Sequence, residues 1–445
     1  MFKFPKDVYV DIRIENVFET IVQKTLGRLE EFKERRYSGA FIRLFDGKRW
    51  YYSSTTDVEN IQKEIDELYK ISSPSDEINE HPIVKKFEVH NGSYLEFEKR
   101  AIDNIEKHKK LELVEKYIPI VSENQFVKLW KANYVDKKIV KRFISSKGSD
   151  FKFDFQRVGF RIFFELVDGD KKFSERFDTA SNYFEDLYNL EDKVKNSLEE
   201  AIYYMKNAED VEPGQYTVIL SPEAAGVFAH ESFGHKSEAD FMIGDENMKK
   251  EWSIGKKVGS DILSIVDDGN IKGVGYTPFD DDGTKAKETY LVKNGVLSGR
   301  LHSAITAVSL NEELTGNARA LNFEFEPIVR MTTTYIKPGE KTLEELISEV
   351  DNGFLIKTIK HGSGMSTFTI APSLAYNIKN GKIDKPVKIS VITGTVFDTL
   401  NNIDGLSNEL ELLSFALGGC GKFEQYPLPV GFGGPYVRVK NMNVQ

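Results

Sequence analysis

A single cysteine, Cys420, stands among the 445 residues of the chain. With no second thiol there is no internal disulfide framework, and a reducing cytoplasm is the expected location. No run of about 18 apolar residues occurs, so no membrane span is expected. The opening Met1-Phe2-Lys3-Phe4-Pro5-Lys6-Asp7 lacks the apolar core of a secretory signal. A basic excess is missing too. Sixty Lys and Arg against 70 Asp and Glu give a net charge of −10, which argues against a direct nucleic-acid binder. Internal repeats and low-complexity tracts are absent. What is present is an ordinary globular composition, long enough for two or three domains.

The expected class is α+β in two domains. Residues 1–211 read as a mixed α/β domain. Tyr37 to Tyr52 forms a hairpin about Asp46-Gly47, and Asp57 to Ile71 a helix with Ile61, Ile65 and Leu68 on one face. Phe126 to Phe177 reads as strands turning at Lys147-Gly148 and Asp168-Gly169. A long helix from about Ser181 to Ala208 follows. Glu212-Pro213-Gly214 punctuates the chain and sets the boundary. Residues 212–445 read as mostly β, with hairpins at Asn294-Gly295 and Asn380-Gly381 and one later helix, Leu343 to Asp351.

The chemistry concentrates in Ala229-His230-Glu231-Ser232-Phe233-Gly234-His235 and in Gly418-Gly419-Cys420-Gly421. Two imidazoles and a thiolate are three good zinc ligands, and Glu231 beside them is a candidate general base. Tyr216 to Leu220 is strand-like. Ser221 then makes a good helix N-cap, Pro222 a good first residue, and Glu223 suits the positive helix end. The histidines are five apart, which an ideal helix splays by roughly 140°. One metal can join them only if the helix is distorted or ends there, as in a π-turn. Gly234 makes such a break cheap. Flanking glycines suggest an exposed, turning backbone at Cys420 rather than a core strand. The residues alone leave two readings open, a catalytic metal site or a chance spacing with a buried thiol.

Other motifs are weaker. Asp280-Asp281-Asp282-Gly283 resembles a calcium loop, but the register puts Pro278 where an Asp ligand is required, so a turn is expected. His81, His90 and His108 are expected at the surface. For His361, before Gly362-Ser363-Gly364, a place away from the site is the first expectation and a reach into it the alternative.

The C-terminal half resembles the TldD/PmbA metallopeptidases, in their metal-binding, TldD-like branch. The resemblance rests on the His-Glu-x-x-x-His run with Glu238, Asp240 and Phe241 after it. It continues through Val266-Asp267-Asp268-Gly269, Asp281-Asp282-Gly283-Thr284, Thr315-Gly316-Asn317-Ala318-Arg319 and Arg330-Met331-Thr332-Thr333-Thr334-Tyr335. It ends in Cys420-Gly421-Lys422 and Leu428-Pro429-Val430-Gly431. The resemblance implies a Zn2+-dependent peptidase with the metal on His230, His235 and Cys420 and Glu231 as general base. It implies an enclosed site that admits peptides or unfolded protein segments, with residues 1–211 serving enclosure and dimerisation. It further implies a homodimer, or a heterodimer with a PmbA/TldE-like paralogue, and no membrane partner. His361 departs from the family pattern, which is Gly-rich there without a histidine. The rival reading is a non-enzymatic regulator that binds a partner and carries a structural metal.

Overall fold

The computed structural model describes residues 2–445. Strands Tyr9–Thr25 and Arg28–Phe45 form a long hairpin, and Phe45 pairs with Trp50 to add Trp50–Thr55 across the expected turn. Asp46 fastens that turn by accepting the Lys48 and Arg49 N–H groups. On the other edge of Tyr9–Thr25 follow Val127–Ser145, Asp150–Asp168 and Lys171–Ser181, each antiparallel to the last. Asn91–Tyr94 joins in parallel and completes a seven-stranded sheet.

The alternation of side chains gives this sheet two different faces. Even-numbered Val10, Ile12, Phe18, Tyr134 and Phe160 are buried beneath helices Ile61–Ile71, Lys107–Ser122 and Glu191–Asn207. Odd-numbered Arg13, Glu15, Lys141, Phe153 and Arg161 point the other way, towards the rest of the chain. There Arg13 and Lys141 pair with Asp281, and Arg43 pairs with Asp282. The Asp280–Gly283 segment is thus the expected turn, and it is also a buried tie between the halves.

The later residues build a ten-stranded mixed sheet and a six-stranded one. Gly214–Leu220 lies inside the first, between Val437–Val444 and Asn352–Ile356. The helix that follows it, Pro222–Ala229, is buried between the two sheets. Its small residues allow that approach. A Cβ on Gly226 would lie 2.4 Å from the Gly433 amide nitrogen. The expected hairpins at Asn294-Gly295 and Asn380-Gly381 are present.

Two expectations need correction. The helix expected from Ser181 starts at Glu191, because the preceding strand keeps its pairing to Ser181 and Asn189 takes a left-handed φ of 57°. Lys107–Ser122 is a further helix in the first half. In the second half Glu246–Glu251, Ala304–Leu310 and Val396–Asn401 join Leu343–Ser348. Each is short and is started by a polar N-cap side chain (Asp245, Ser303, Thr395) rather than by a long apolar stripe. Among the described residues no helix is long and apolar enough to cross a membrane.

Candidate functional site

Ser221 caps the Pro222–Ala229 helix by accepting the Ala224 N–H, as its sequence position suggests. At His230 the winding changes. Residues His230–Gly234 form a π-turn and His235–Ser237 a short 3-10 turn. The wider turn brings round two histidines that an ideal helix would splay. Their ring centres lie 5.2 Å apart at an interplanar angle of 80°. Gly234 has a different role from the one expected. Its φ of −56° is ordinary helix, but a Cβ there would sit 2.0 Å from the sulfur of buried Met331.

Cys420 meets these rings from the far end of the chain. Gly418, with φ 97°, turns the backbone as expected. The cysteine itself is buried, not exposed, and opens the strand Cys420–Lys422 paired with Gln425–Leu428. Arg330, fully buried, donates to the Cys420 carbonyl at 2.8 Å and so fixes that backbone. One ligand atom each from His230, His235 and Cys420 lie within 4.8 Å of one another. The Cys420 Sγ to His235 Nε2 distance is 3.4 Å. Tetrahedral zinc with bonds of 2.0–2.3 Å needs ligand separations of about 3.5 Å. In addition, the buried His230 Nδ1 has no hydrogen-bond partner. Donor set, spacing and orphaned nitrogen all fit a zinc ion.

A second group of side chains, which the sequence did not single out as functional, orients His235. Its Nδ1 lies 3.2 Å from Glu238 Oε2, which leaves Nε2 for Cys420. Glu238 in turn pairs with Lys422 at 3.0 Å, and Lys422 with Asp240 at 2.7 Å. Glu238 and Lys422 are buried, so the pair is poorly screened. An acid three residues after the second histidine and a lysine two after the cysteine were the available signal. Carboxylate–histidine partners of this kind fix the ring and raise its basicity as a ligand. Glu238→Ala is expected to weaken metal affinity by roughly 10–100-fold, with Glu238→Gln recovering part because its amide oxygen still accepts Nδ1–H. Chelator competition on both variants checks this; equal affinities for Ala and wild type would rule it out.

Charge in the group follows from proximity. Burial works against charge on His235, but Cys420 and Glu238 outweigh it and hold its pKa at about 10. Burial likewise opposes the Cys420 thiolate, but the two histidines bring its pKa down to about 4. These shifts favour a thiolate on Cys420 beside an imidazolium on His235.

His230, Glu231 and Cys420 line a cavity of about 410 Å³. His361 lines it too, so the alternative for that residue holds. Arg161 and Arg176 enter from the seven-stranded sheet, and Phe415 and Phe432 add apolar surface. His302 sits elsewhere, bound to Thr306 and Glu312. His81 and His90 are half-buried rather than surface groups. His81 caps the Pro82–Lys86 turn, and His90 packs on Phe279. His108 is exposed as expected.

Glu223, at the start of the helix, lies 3.9 Å from Arg176 and accepts the Ile359 N–H at 3.1 Å. Burial, with Glu175 and Asp178 nearby, pushes its pKa up to about 7. A carboxyl raised on folding stabilises fully below its unfolded pKa, and that contribution is lost as pH rises through the folded value. From about pH 4.5 to 7 the loss amounts to about 3 kcal/mol. Urea midpoints should therefore fall between pH 5 and 8, and Glu223→Gln should reduce the fall. An unchanged pH profile in the variant would refute the assignment.

The sequence pattern of the PmbA/TldA metallopeptidase C-terminal domain matches residues 213–445, and that of domain 1 of the same group matches residues 10–72. A metalloprotease of Methanocaldococcus jannaschii is 32% identical over 97% of this chain and 95% of its own. A zinc metalloprotease TldD homolog of Saccharolobus solfataricus is 27% identical over 100% of this chain and 99% of its own. Among solved structures, TldE from Thermococcus kodakarensis superimposes with a TM-score of 0.78 over 98% of this chain and 96% of its own, at 15% identity.

Proposed function

From the chain's membership of the PmbA/TldD metallopeptidase family, shown by its matched domains and near full-length relatives, we propose that it is a zinc-dependent peptidase of the TldD branch. The observation that carries the reading is the convergence of His230, His235 and Cys420, with His230, Cys420 and Glu231 on one cavity wall. The three first-named residues hold the metal. When bound, zinc supplies Lewis acidity to the scissile carbonyl and to the attacking water. Glu231 takes the proton from that water and passes it to the leaving amine. With three protein donors, the set would leave a bound zinc able to take a water, as a catalytic rather than a structural site requires.

Residues 1–211 enclose the substrate and serve dimerisation, while residues 212–445 carry the chemistry. Arg161 and Arg176 in the cavity wall support the first assignment. The substrates are peptides or unfolded segments, since the cavity volume of about 410 Å³ excludes a folded chain. A fold shared with TldE supports assembly with a second copy or with a TldE-like partner. The lone cysteine, kept as a reduced ligand, fits a cytoplasmic setting.

The test combines metal analysis with peptide cleavage on the purified chain, alone and with a TldE-like partner. One zinc per chain and hydrolysis of unfolded peptides, abolished by chelation, are expected. Bound zinc with no hydrolysis under either condition would replace this reading with a regulator carrying a structural metal.

A further inference from the structure

A second, smaller cavity of about 90 Å³ adjoins the first, sharing Val274 and Pro429 as walls. It opens on the face of the seven-stranded sheet opposite the helices. Two of its cations, Lys137 and Arg157, come from one row across that sheet. Glu19 pairs in register with Lys137, and Lys137 with Arg157. Like charges directly opposite on neighbouring strands destabilise a sheet, so the Lys137–Arg157 pair needs a reason.

Local acids do not supply it. Glu19 is the nearest carboxylate to Lys137, at 3.7 Å, and it is already engaged by Arg35 and by the Tyr37 hydroxyl. Three cations therefore share one acid along this row. Lys141 and Asp281, also in the wall, form a balanced group with Arg13 and Glu15. Arg319 is taken up by the carbonyls of Met331 and Pro429. Arg157 is left half-buried with only Glu19 as an attractive charge, and burial holds its pKa below the usual arginine value. Phe155, Val274 and Leu321 add apolar lining, beside the polar Gln156, Thr277 and Tyr276. A guanidinium with a neighbouring ammonium in a partly apolar pocket is suited to a carboxylate, which it can bind in bidentate fashion.

We propose that this pocket is a carboxylate subsite of the peptide-binding channel, with Arg157 and Lys137 receiving a carboxylate of the substrate a few residues from the scissile bond. The proposal rests on the peptidase reading above for the identity of the ligand. Arg157 and Arg161 lie on one strand and one face, four residues apart. Arg161 lines the cavity that holds Glu231. At about 3.3 Å per residue the two side chains stand about 13 Å apart, the span of about four extended residues. The carboxylate is either the peptide's C-terminus or an Asp or Glu side chain at that distance.

The experiment measures equilibrium binding by fluorescence anisotropy, and cleavage, on the zinc-loaded protein. The probes are one labelled unfolded peptide as its free acid, the same peptide amidated, and the amidated peptide with an Asp near its end. The free acid, the Asp peptide or both should bind roughly 10–100-fold tighter than the plain amide, the range of a charge-assisted hydrogen bond. Arg157→Gln and Lys137→Gln should cut that preference to near unity, leave binding of the plain amide unchanged, and still cleave it. Arg157→Lys should restore part of the preference. Free acid alone favoured identifies a C-terminal anchor, and the Asp peptide favoured identifies a side-chain subsite. Equal binding of all three probes by wild type, or a preference that survives in the double variant, overturns the proposal even if cleavage is robust. Preference without cleavage of any probe leaves the subsite standing and overturns the peptidase reading instead.

Discussion

Glu231→Gln is expected to lower hydrolysis of unfolded peptides by about 10²–10⁴-fold, the usual worth of general-base help, while zinc content and thermal stability stay near wild type. The separation is possible because of where the residue sits. Glu231 follows His230 in the π-turn and is half-exposed on the cavity wall, so its side chain carries none of the packing that Phe233 and Met331 carry. Gln keeps the shape and loses the basic oxygen. A loss confined to kcat, with zinc retained, identifies Glu231 as the base. Wild-type cleavage by a zinc-loaded Glu231→Gln protein would remove that role.

The parts of this site that are legible in the sequence are those set by neighbours in the chain. The Ser221 cap, the Pro222 start and the π-turn follow from local spacing, because two ligands five positions apart leave a helix few other ways to bring them together. The Asp46-Gly47, Asn294-Gly295 and Asn380-Gly381 hairpins are equally local. What could not be read is what depends on distant residues. The burial of Cys420 is set by Arg330 on its carbonyl and by pairing with Leu428. Glu238 and Lys422 are 184 positions apart in sequence, by subtraction of their numbers, and meet only in the folded chain. The role of Gly234 is likewise a matter of what lies against it. Its break looked conformational in sequence, whereas the structure makes it a space requirement of Met331. Asp281 and Asp282 read as a turn because their partners, Arg13, Lys141 and Arg43, belong to a sheet formed far earlier in the chain.

Cys420→Ser is expected to weaken zinc binding by more than the roughly 10–100-fold that loss of an outer partner such as Glu238 costs, because it removes a ligand itself. The thiolate lies between two imidazole rings, and its negative charge is what offsets the ion's charge in a buried site. A serine hydroxyl is neutral at pH 7 and its shorter bond draws the donor back from His235. Position does not compensate, because Arg330 and the pairing with Leu428 hold the backbone of residue 420 where it is. The metal-free Cys420→Ser form should melt below metal-free wild type at pH 7, since it loses the thiolate that the two histidines stabilise. The two zinc-loaded forms should differ widely, by RT ln of the affinity ratio at saturating metal. Chelator titration and paired melting curves read both quantities. His230→Ala should lose metal and cleavage together, as a ligand must. Should Cys420→Ser keep full zinc occupancy under chelator challenge, the thiol is a bystander and the third ligand lies elsewhere in the cavity, where His361 is a further imidazole in the wall.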